Sequence, residues 1–97
     1  INSGNYAFAS RYSMSQNYPN PFNPQTTIDY ELSFAGNAKI AVYDISGKEV
    51  KTLVAKLHSP GLFRTIFEGS GLSSGVYFYS LLINGKEIDT KKMLLLK

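Results

Sequence analysis

Residues 76–85 read VYFYSLLING, and this stretch decides the fold class. Its first eight residues are almost continuously apolar, a pattern typical of a central strand that is buried on both faces. Asn84-Gly85 then supplies the strongest short hairpin signal in the chain. The stretch therefore predicts a strand, a tight turn and a return strand that closes the domain within residues 86–97.

Toward the N-terminus, apolar and polar residues alternate with the period of a half-buried strand. In residues 26–32, Ile28, Tyr30 and Leu32 share one face, whereas Asp29 and Glu31 share the other. Further strands are predicted over residues 38–43, 48–54 and 62–68, with turns at 34–37, 44–47, 56–61 and 69–75. Short strands separated by regular turn signals predict an all-β, immunoglobulin-like antiparallel β-sandwich of about seven strands. The predicted core contains Ile28, Tyr30, Ile40, Val42, Phe63, Phe67, Val76 and Phe78.

The region before these strands divides into two segments. Residues 1–17 are rich in Ser, Asn and Gly without a sustained period, so they are predicted to be a linker or the tail of a preceding domain. Residues 18–24 read YPNPFNP, and three prolines in seven positions forbid a helix and remove three backbone donors. This segment is predicted to be a stiff strap that leads into the first strand, with Phe22 as its anchor in the core.

Composition excludes several classes of protein. The 97 residues fit one domain, and 43% hydrophobic residues provide enough apolar area to fold. The absence of Cys excludes disulfides, a thiolate nucleophile and a cysteine zinc site. A net charge of +3, with lysines that are scattered apart from a C-terminal group of Lys86, Lys91, Lys92 and Lys97, argues against nucleic-acid binding. The apolar runs are too short to span a bilayer, so no stable membrane insertion is predicted.

The search for chemistry yields no catalytic constellation. His58 is the single histidine, and it precedes Ser59-Pro60-Gly61, so it is predicted to be a solvated residue of a surface turn. The turn serines lack a nucleophile-elbow motif, and the pairs Asp29/Glu31 and Glu87/Asp89 are expected on solvent-facing strand surfaces. The chain is therefore predicted to be no enzyme, with no catalytic, cofactor or metal site.

Two aromatic residues leave a choice open. Tyr77 and Tyr79 share one face of their strand, where they could stack on sugar rings if exposed or pack between sheets if buried. In a domain without Trp, inter-sheet packing is the favoured interpretation.

Several motifs in sequential order resemble a known family. They are Tyr18-Pro-Asn-Pro-Phe-Asn-Pro24, Thr27-Ile-x-Tyr-x-Leu32, Val42-Tyr-Asp-x-x-Gly-Lys-x-Val-x-Thr-Leu53, Leu72-x-Ser-Gly-Val-Tyr77 and the ending Lys92-Met-Leu-Leu-Leu-Lys97. Over residues 18–97 they resemble the C-terminal sorting domain of proteins exported by the type IX secretion system. Residues 42–81 also resemble the immunoglobulin-like domain of the flagellar hook-capping protein. The strap and the lysine-flanked tail favour the sorting family.

The resemblance implies a non-catalytic secretion signal attached to a cargo domain on its N-terminal side. The cargo would pass through the periplasm and then cross the outer membrane to the cell surface or the medium. The implied partners are the outer-membrane translocon and a surface peptidase, with no cofactor. A structural or carbohydrate-binding accessory module of a secreted hydrolase, and a flagellar or surface assembly module, are the alternatives.

The sorting interpretation names the residues that a partner would read. They lie in the strap, at the start of the central strand and in the tail: Pro19, Asn20, Pro21, Gly75, Tyr77, Lys92 and Lys97. If the last strand lies at a sheet edge, a receptor could read it by strand addition, with the lysines guarding that edge. The alternative is that the strap only closes the sandwich and the lysines only prevent aggregation.

Overall fold

A computed structural model describes residues 11–97, which form an all-β sandwich of seven strands. The strands are β1 (Tyr12–Met14), β2 (Gln25–Leu32), β3 (Gly36–Tyr43), β4 (Glu49–His58), β5 (Gly61–Glu68), β6 (Gly75–Ile83) and β7 (Lys86–Leu95). Sheet 1 has the order β1-β2-β5 and sheet 2 the order β4-β3-β6-β7, and all pairs are antiparallel. The predicted fold class is confirmed. Residues 11–97 contain no apolar helix long enough to cross a membrane.

The alternation in β2 places its apolar residues in the core. Ile28, Tyr30 and Leu32 are buried, and their register partners across the β2–β5 ladder face the same way. Tyr30 lies opposite Phe63, and the two rings stack with centroids 5.5 Å apart. Phe67 is fully buried, whereas Phe63 is half-buried at the side of the core.

The hairpin predicted from Asn84-Gly85 joins β6 to β7. Asn84 has φ 53° and Gly85 has φ 82°, the positive values that a tight two-residue turn requires. The Asn84 side chain also accepts a hydrogen bond from the Asn37 backbone N–H at 2.9 Å. The turn is therefore tied to the start of β3, its neighbour in sheet 2.

The inward face of β6 differs from the predicted one. Tyr77, Tyr79, Leu81 and Ile83 point into the core, whereas Val76 and Phe78 are half-buried on the outer face of sheet 2. Because both faces of this strand are apolar, periodicity could not select the inner one. The expectation that Val76 and Phe78 belong to the core is wrong, and the packing interpretation of Tyr77 and Tyr79 is confirmed.

His58 is not a solvated turn residue, because β4 continues through the predicted loop to end at this position. Its side chain is 4% exposed and lies between Tyr30 and Phe63. His58 Nδ1 is 3.0 Å from the Lys56 carbonyl, which can only accept, so Nδ1 carries the proton. Nε2 then accepts from the Tyr30 hydroxyl at 2.8 Å. The prediction of a surface position was wrong because Pro60-Gly61 marks only the turn that follows His58.

We expect His58→Ala to destabilise the domain by about 1–3 kcal/mol, because it leaves the buried Tyr30 hydroxyl without its acceptor. Urea denaturation would measure the loss. The matched test is His58→Phe together with Tyr30→Phe, which removes both hydrogen-bonding groups and should restore most of the stability. Stability of His58→Ala within about 0.5 kcal/mol of the parent would mean that the buried hydrogen bond contributes nothing.

The sandwich begins earlier in the chain than the predicted linker allows. Tyr12 and Met14 are buried, and β1 pairs with the last three residues of β2. Asn17 is also buried. Three residues are too short for a periodicity to be recognised, which is why the strand was missed. The remainder of the predicted linker, residues 1–10 with Tyr6 and Phe8, lies outside the described residues.

Candidate functional site

The strap, residues 18–24, crosses from one sheet to the other. At its start, Tyr18 forms an antiparallel bridge to Thr27 of β2, with both N···O distances at 2.9 Å. Four residues later, Phe22 forms a parallel bridge beside Leu95 of β7. The Phe22 N–H donates to the Leu94 carbonyl at 2.9 Å, and the Phe22 carbonyl accepts from the Leu96 N–H at 3.0 Å. The strap therefore closes one side of the sandwich.

The strap also covers the free edge of β7, which is the edge strand of sheet 2. Asn20 Oδ1 accepts a hydrogen bond from the Leu94 N–H at 3.0 Å. Gln16 Nε2 donates to the Lys92 carbonyl at 2.7 Å. Together with the Phe22 backbone, the Asn20 and Gln16 side chains occupy backbone groups of β7 that an added strand would need. While the strap is in place, a receptor cannot read this part of β7 by strand addition.

A buried polar network holds the start of the strap. The Thr26 hydroxyl donates to the Pro19 carbonyl at 2.8 Å, and Asn17 Nδ2 donates to the Thr26 hydroxyl oxygen at 3.0 Å. The Asn17 N–H donates to the Tyr79 hydroxyl at 2.7 Å, and that hydroxyl donates to the Ser15 carbonyl at 2.9 Å. Burial raises the pKa of Tyr79 to about 12. The Ser15 carbonyl can only accept, so the Tyr79 hydroxyl is the donor in that hydrogen bond.

Phe22 anchors the middle of the strap in the core, as predicted. Its side chain is 1% exposed, and its ring centroid lies 5.8 Å from that of Phe67. Gly69 allows this close approach, because a Cβ at that position would lie 3.3 Å from Phe22 and 3.2 Å from the Leu95 side chain. The glycine after Phe67-Glu68 therefore makes room for the meeting of strap and tail.

The end of the tail contacts the loop that precedes β6. The Lys97 N–H donates to the Ser74 hydroxyl at 2.9 Å, and Lys97 Nζ donates to the Ser70 carbonyl. Gly75, the next residue of that loop, pairs with Leu95 and has φ 150°, a value that side chains rarely adopt. The tail and the Gly75 motif thus lie at the same end of the sandwich.

Most of the candidate sorting residues meet at this end, and we call the group the strap–tail site. It comprises residues 18–22 of the strap, Gly75, and residues 92–97 of the tail. Pro19, Asn20 and Pro21 are exposed, and so are the side chains of Lys92 and Lys97. Tyr77 is the exception: it is 7% exposed and donates to the Ser73 carbonyl at 2.7 Å. A partner cannot reach the Tyr77 side chain, whose contacts fix the loop before β6.

The residues that hold the strap were not identified from the sequence. Thr26 has the same parity as Ile28 and Tyr30 in β2, so the alternation itself contained the signal that it points inward. Asn17 and Gln16 carried no such signal, because the bonds of Asn17 to Tyr79 and of Gln16 to Lys92 span more than sixty residues of the chain. All buried side-chain N and O atoms among the described residues have a hydrogen-bond partner.

Asp29, Asp44 and Glu49 are engaged in structural contacts. The pKa of Asp29 is lowered by the hydrogen bond from Arg64, and that of Asp44 by hydrogen bonds within its turn, Ser46 first. The pKa of Glu49 is lowered chiefly by the Thr52 hydroxyl. A general acid at neutral pH needs the opposite shift. Within residues 11–97 no group of three His, Asp or Glu side chains could hold a metal ion.

Comparison with protein families matches residues 16–96 to the family described as the secretion system C-terminal sorting domain. Comparison with curated proteins finds no match.

Among solved structures, the chain is similar to part of dimeric latent PorU from Porphyromonas gingivalis, with a TM-score of 0.72 and 17% identity over 88% of this chain. It is also similar to part of the alkylpurine DNA glycosylase AlkC from Pseudomonas fluorescens, with a TM-score of 0.59 and 13% identity over 90% of this chain. A β-glucosidase from Listeria innocua matches with a TM-score of 0.59 and 9% identity over 87% of this chain.

These matches cover 9% of the PorU chain, 31% of AlkC and 16% of the β-glucosidase. At such low identities, they show that the sandwich fold is shared.

Proposed function

The chain belongs to the family of secretion system C-terminal sorting domains, which are sorting signals for type IX secretion, and we propose that the outer-membrane translocon binds its strap–tail site. A surface peptidase is the second proposed partner. The cargo on the N-terminal side of the domain passes through the periplasm and reaches the cell surface or the medium. The domain itself performs no catalysis.

One observation carries this proposal: two segments more than seventy residues apart in sequence join into a single surface through the Asn20–Leu94 hydrogen bond. The strap presents Tyr18, which is 79% exposed, followed by three exposed residues. The tail presents Lys92 and Lys97 beside it. Because both segments depend on the folded sandwich, a receptor that reads them together also tests that the domain has folded.

The carbohydrate-binding alternative loses its main support in this geometry. Tyr77 and Tyr79 face the core, so neither ring can stack on a sugar. Among residues 11–97, the largely exposed aromatic residues are Tyr18 and Phe34, and Phe34 lies under the Arg11 guanidinium at 4.8 Å.

The test replaces Lys92 and Lys97 with Gln in a reporter that carries the whole chain at its C-terminus, expressed in a bacterium with type IX secretion. We expect at least about tenfold less exported reporter, because losing one charge-assisted hydrogen bond to a partner costs about 1.5–3 kcal/mol. The Tm should change little, since surface substitutions alter stability by about 0.5 kcal/mol or less.

The matched control replaces Lys51 and Lys56, exposed lysines of β4 at the opposite edge of sheet 2, with Gln. It makes the same charge change away from the strap–tail site, and export should be unaffected. Normal export of the Lys92/Lys97 variant would show that the translocon does not recognise these two lysines. Their role would then be limited to protecting the sheet edge from aggregation.

A further inference from the structure

The outer face of sheet 2 is apolar at one end. Val76 and Phe78 of β6 point outward there, and the described chain provides no third layer to cover them. The outer face of sheet 1 is mixed, because Thr27, Asp29 and Glu31 of β2 lie opposite Ile66, Arg64 and Leu62 of β5 there. A strand with apolar residues on both faces is typical of a position covered on both faces.

The register of the four strands of sheet 2 shows which residues lie next to each other at this end. Across four strands, Glu49, Tyr43, Phe78 and Lys92 lie side by side, and Leu94 lies next to Val76. Ile45 follows in the turn after β3 and is 77% exposed. We call Tyr43, Ile45, Val76, Phe78, Leu94 and Leu96 the end patch.

Polar groups form the border of the end patch along the strands of sheet 2. In the next row, the Ser80 and Thr90 hydroxyls lie 2.7 Å apart, and Thr90 donates to Glu87 at 2.8 Å. On the opposite side, the end patch runs into the strap–tail site, because Leu94 and Leu96 are the residues whose backbone bonds the strap.

The charged groups beside the end patch are not equivalent. Asp44, between Tyr43 and Ile45, accepts hydrogen bonds from the Ser46 and Lys48 backbone N–H groups of its own turn. Glu49 is already held by Lys39 at 3.3 Å and by the Thr52 hydroxyl at 2.5 Å. Lys92 forms no ion pair with any side chain of residues 11–97. A complementary surface must therefore present an apolar centre over Phe78 and a carboxylate on the β7 side.

We propose that the end patch is the docking surface for a protein of the secretion apparatus, with an apolar centre over Phe78 and a carboxylate opposite Lys92. This rests on the proposed function and extends it from the strap–tail site to the adjoining sheet face. A protein fits better than a lipid surface, because membrane binding of this kind needs several free clustered basic residues, whereas Lys91 pairs with Asp89 at 3.4 Å and Lys97 Nζ binds the Ser70 carbonyl. It also fits better than a glycan, because the Tyr43 and Phe78 rings are half-buried.

The experiment compares Phe78→Thr and Lys92→Glu with Ile66→Thr in the reporter that carries the whole chain. Ile66 is the matched control, since it is a 53% exposed apolar residue on the outer face of sheet 1. We expect Phe78→Thr and Lys92→Glu each to reduce export at least about tenfold, and Ile66→Thr to leave it unchanged. Because Phe78 is half-buried, Val76→Thr, which keeps a β-branched side chain, provides a second variant if the first melts early.

The outcomes separate this proposal from the one it rests on. If Phe78→Thr and Val76→Thr fold and export normally while the Lys92/Lys97 Gln variant does not, the end patch is not a docking surface and the strap–tail site still is. If both sets export normally, both proposals fail. Binding of the purified chain to anionic lipid vesicles that is lost in Phe78→Thr would overturn the assignment of a protein partner.

Discussion

Deletion of residues 92–97 should abolish export of a reporter fused to the domain while leaving the reporter itself folded. The deletion removes Met93 and Leu95, both fully buried, together with the backbone groups that bind Asn20 and Phe22. Burial of each apolar side chain contributes about 1.5–3 kcal/mol, against a total stability of about 5–15 kcal/mol. The sandwich is therefore expected to unfold and the strap–tail site to disappear with it.

The measurement is reporter activity in the periplasm and in the medium, with and without the deletion. An active reporter retained in the periplasm is the expected result. The Lys92/Lys97 Gln variant separates loss of recognition from loss of folding, because it keeps the buried residues in place. Normal export of the deletion variant would show that this domain is not the sorting signal of the reporter.

Phe22→Ala is expected to cause the largest loss of stability of any single substitution in the strap. Its ring is almost completely buried between Phe67, Gly69 and Leu95, and such truncations cost about 3–5 kcal/mol. The Tm should fall by more than about 12 °C. Because the Phe22 backbone also binds Leu94 and Leu96, loosening of the strap should speed hydrogen exchange of the Leu96 N–H.

Thermal denaturation and hydrogen exchange of the purified chain would measure both effects. Asn23→Ala is the matched control, since Asn23 is the next residue and its side chain is exposed. A Tm within 2–3 °C of the parent, about 0.5 kcal/mol, for Phe22→Ala would contradict the assignment of Phe22 as the anchor. Fast exchange of Leu96 in the Asn23→Ala variant would show that exchange does not report on the anchor.

A comparison of β2 with β6 shows when apolar–polar alternation can predict the inward face of a strand. In β2, Ile28, Tyr30 and Leu32 share one face and polar residues the other, so the inward face was predicted correctly. In β6, both parities are apolar, and the choice between Phe78 and Tyr79 was made by tertiary contacts. Tyr79 points inward, where its hydroxyl binds Asn17 and Ser15 from a segment far away in sequence. Because neighbouring residues of a strand point to opposite faces, Phe78 then lies on the outer face of sheet 2.

His58 shows a second kind of limit. A single histidine beside Pro-Gly is typical of a turn, and the local sequence contains no sign of Tyr30 or Phe63. The fold brings those two rings together by the β2–β5 register and places the end of β4 beside them. Burial of a polar residue depends on such distant partners, because only they can replace its hydrogen bonds to water.

The sequence by itself determined the inward face of β2, the hairpin at Asn84-Gly85 and the anchor at Phe22, since these depend on local spacing and turn chemistry, and its ordered motifs indicated the family by resemblance. The tertiary structure alone decided that the strap caps the edge of β7 and that Gly69 makes room for this contact. It also decided that Lys92 lies beside Phe78 on a face that the rest of residues 11–97 leaves uncovered. Each of these is a contact between segments distant in the chain, and the free energy of such contacts arises only when strand register brings the partners together.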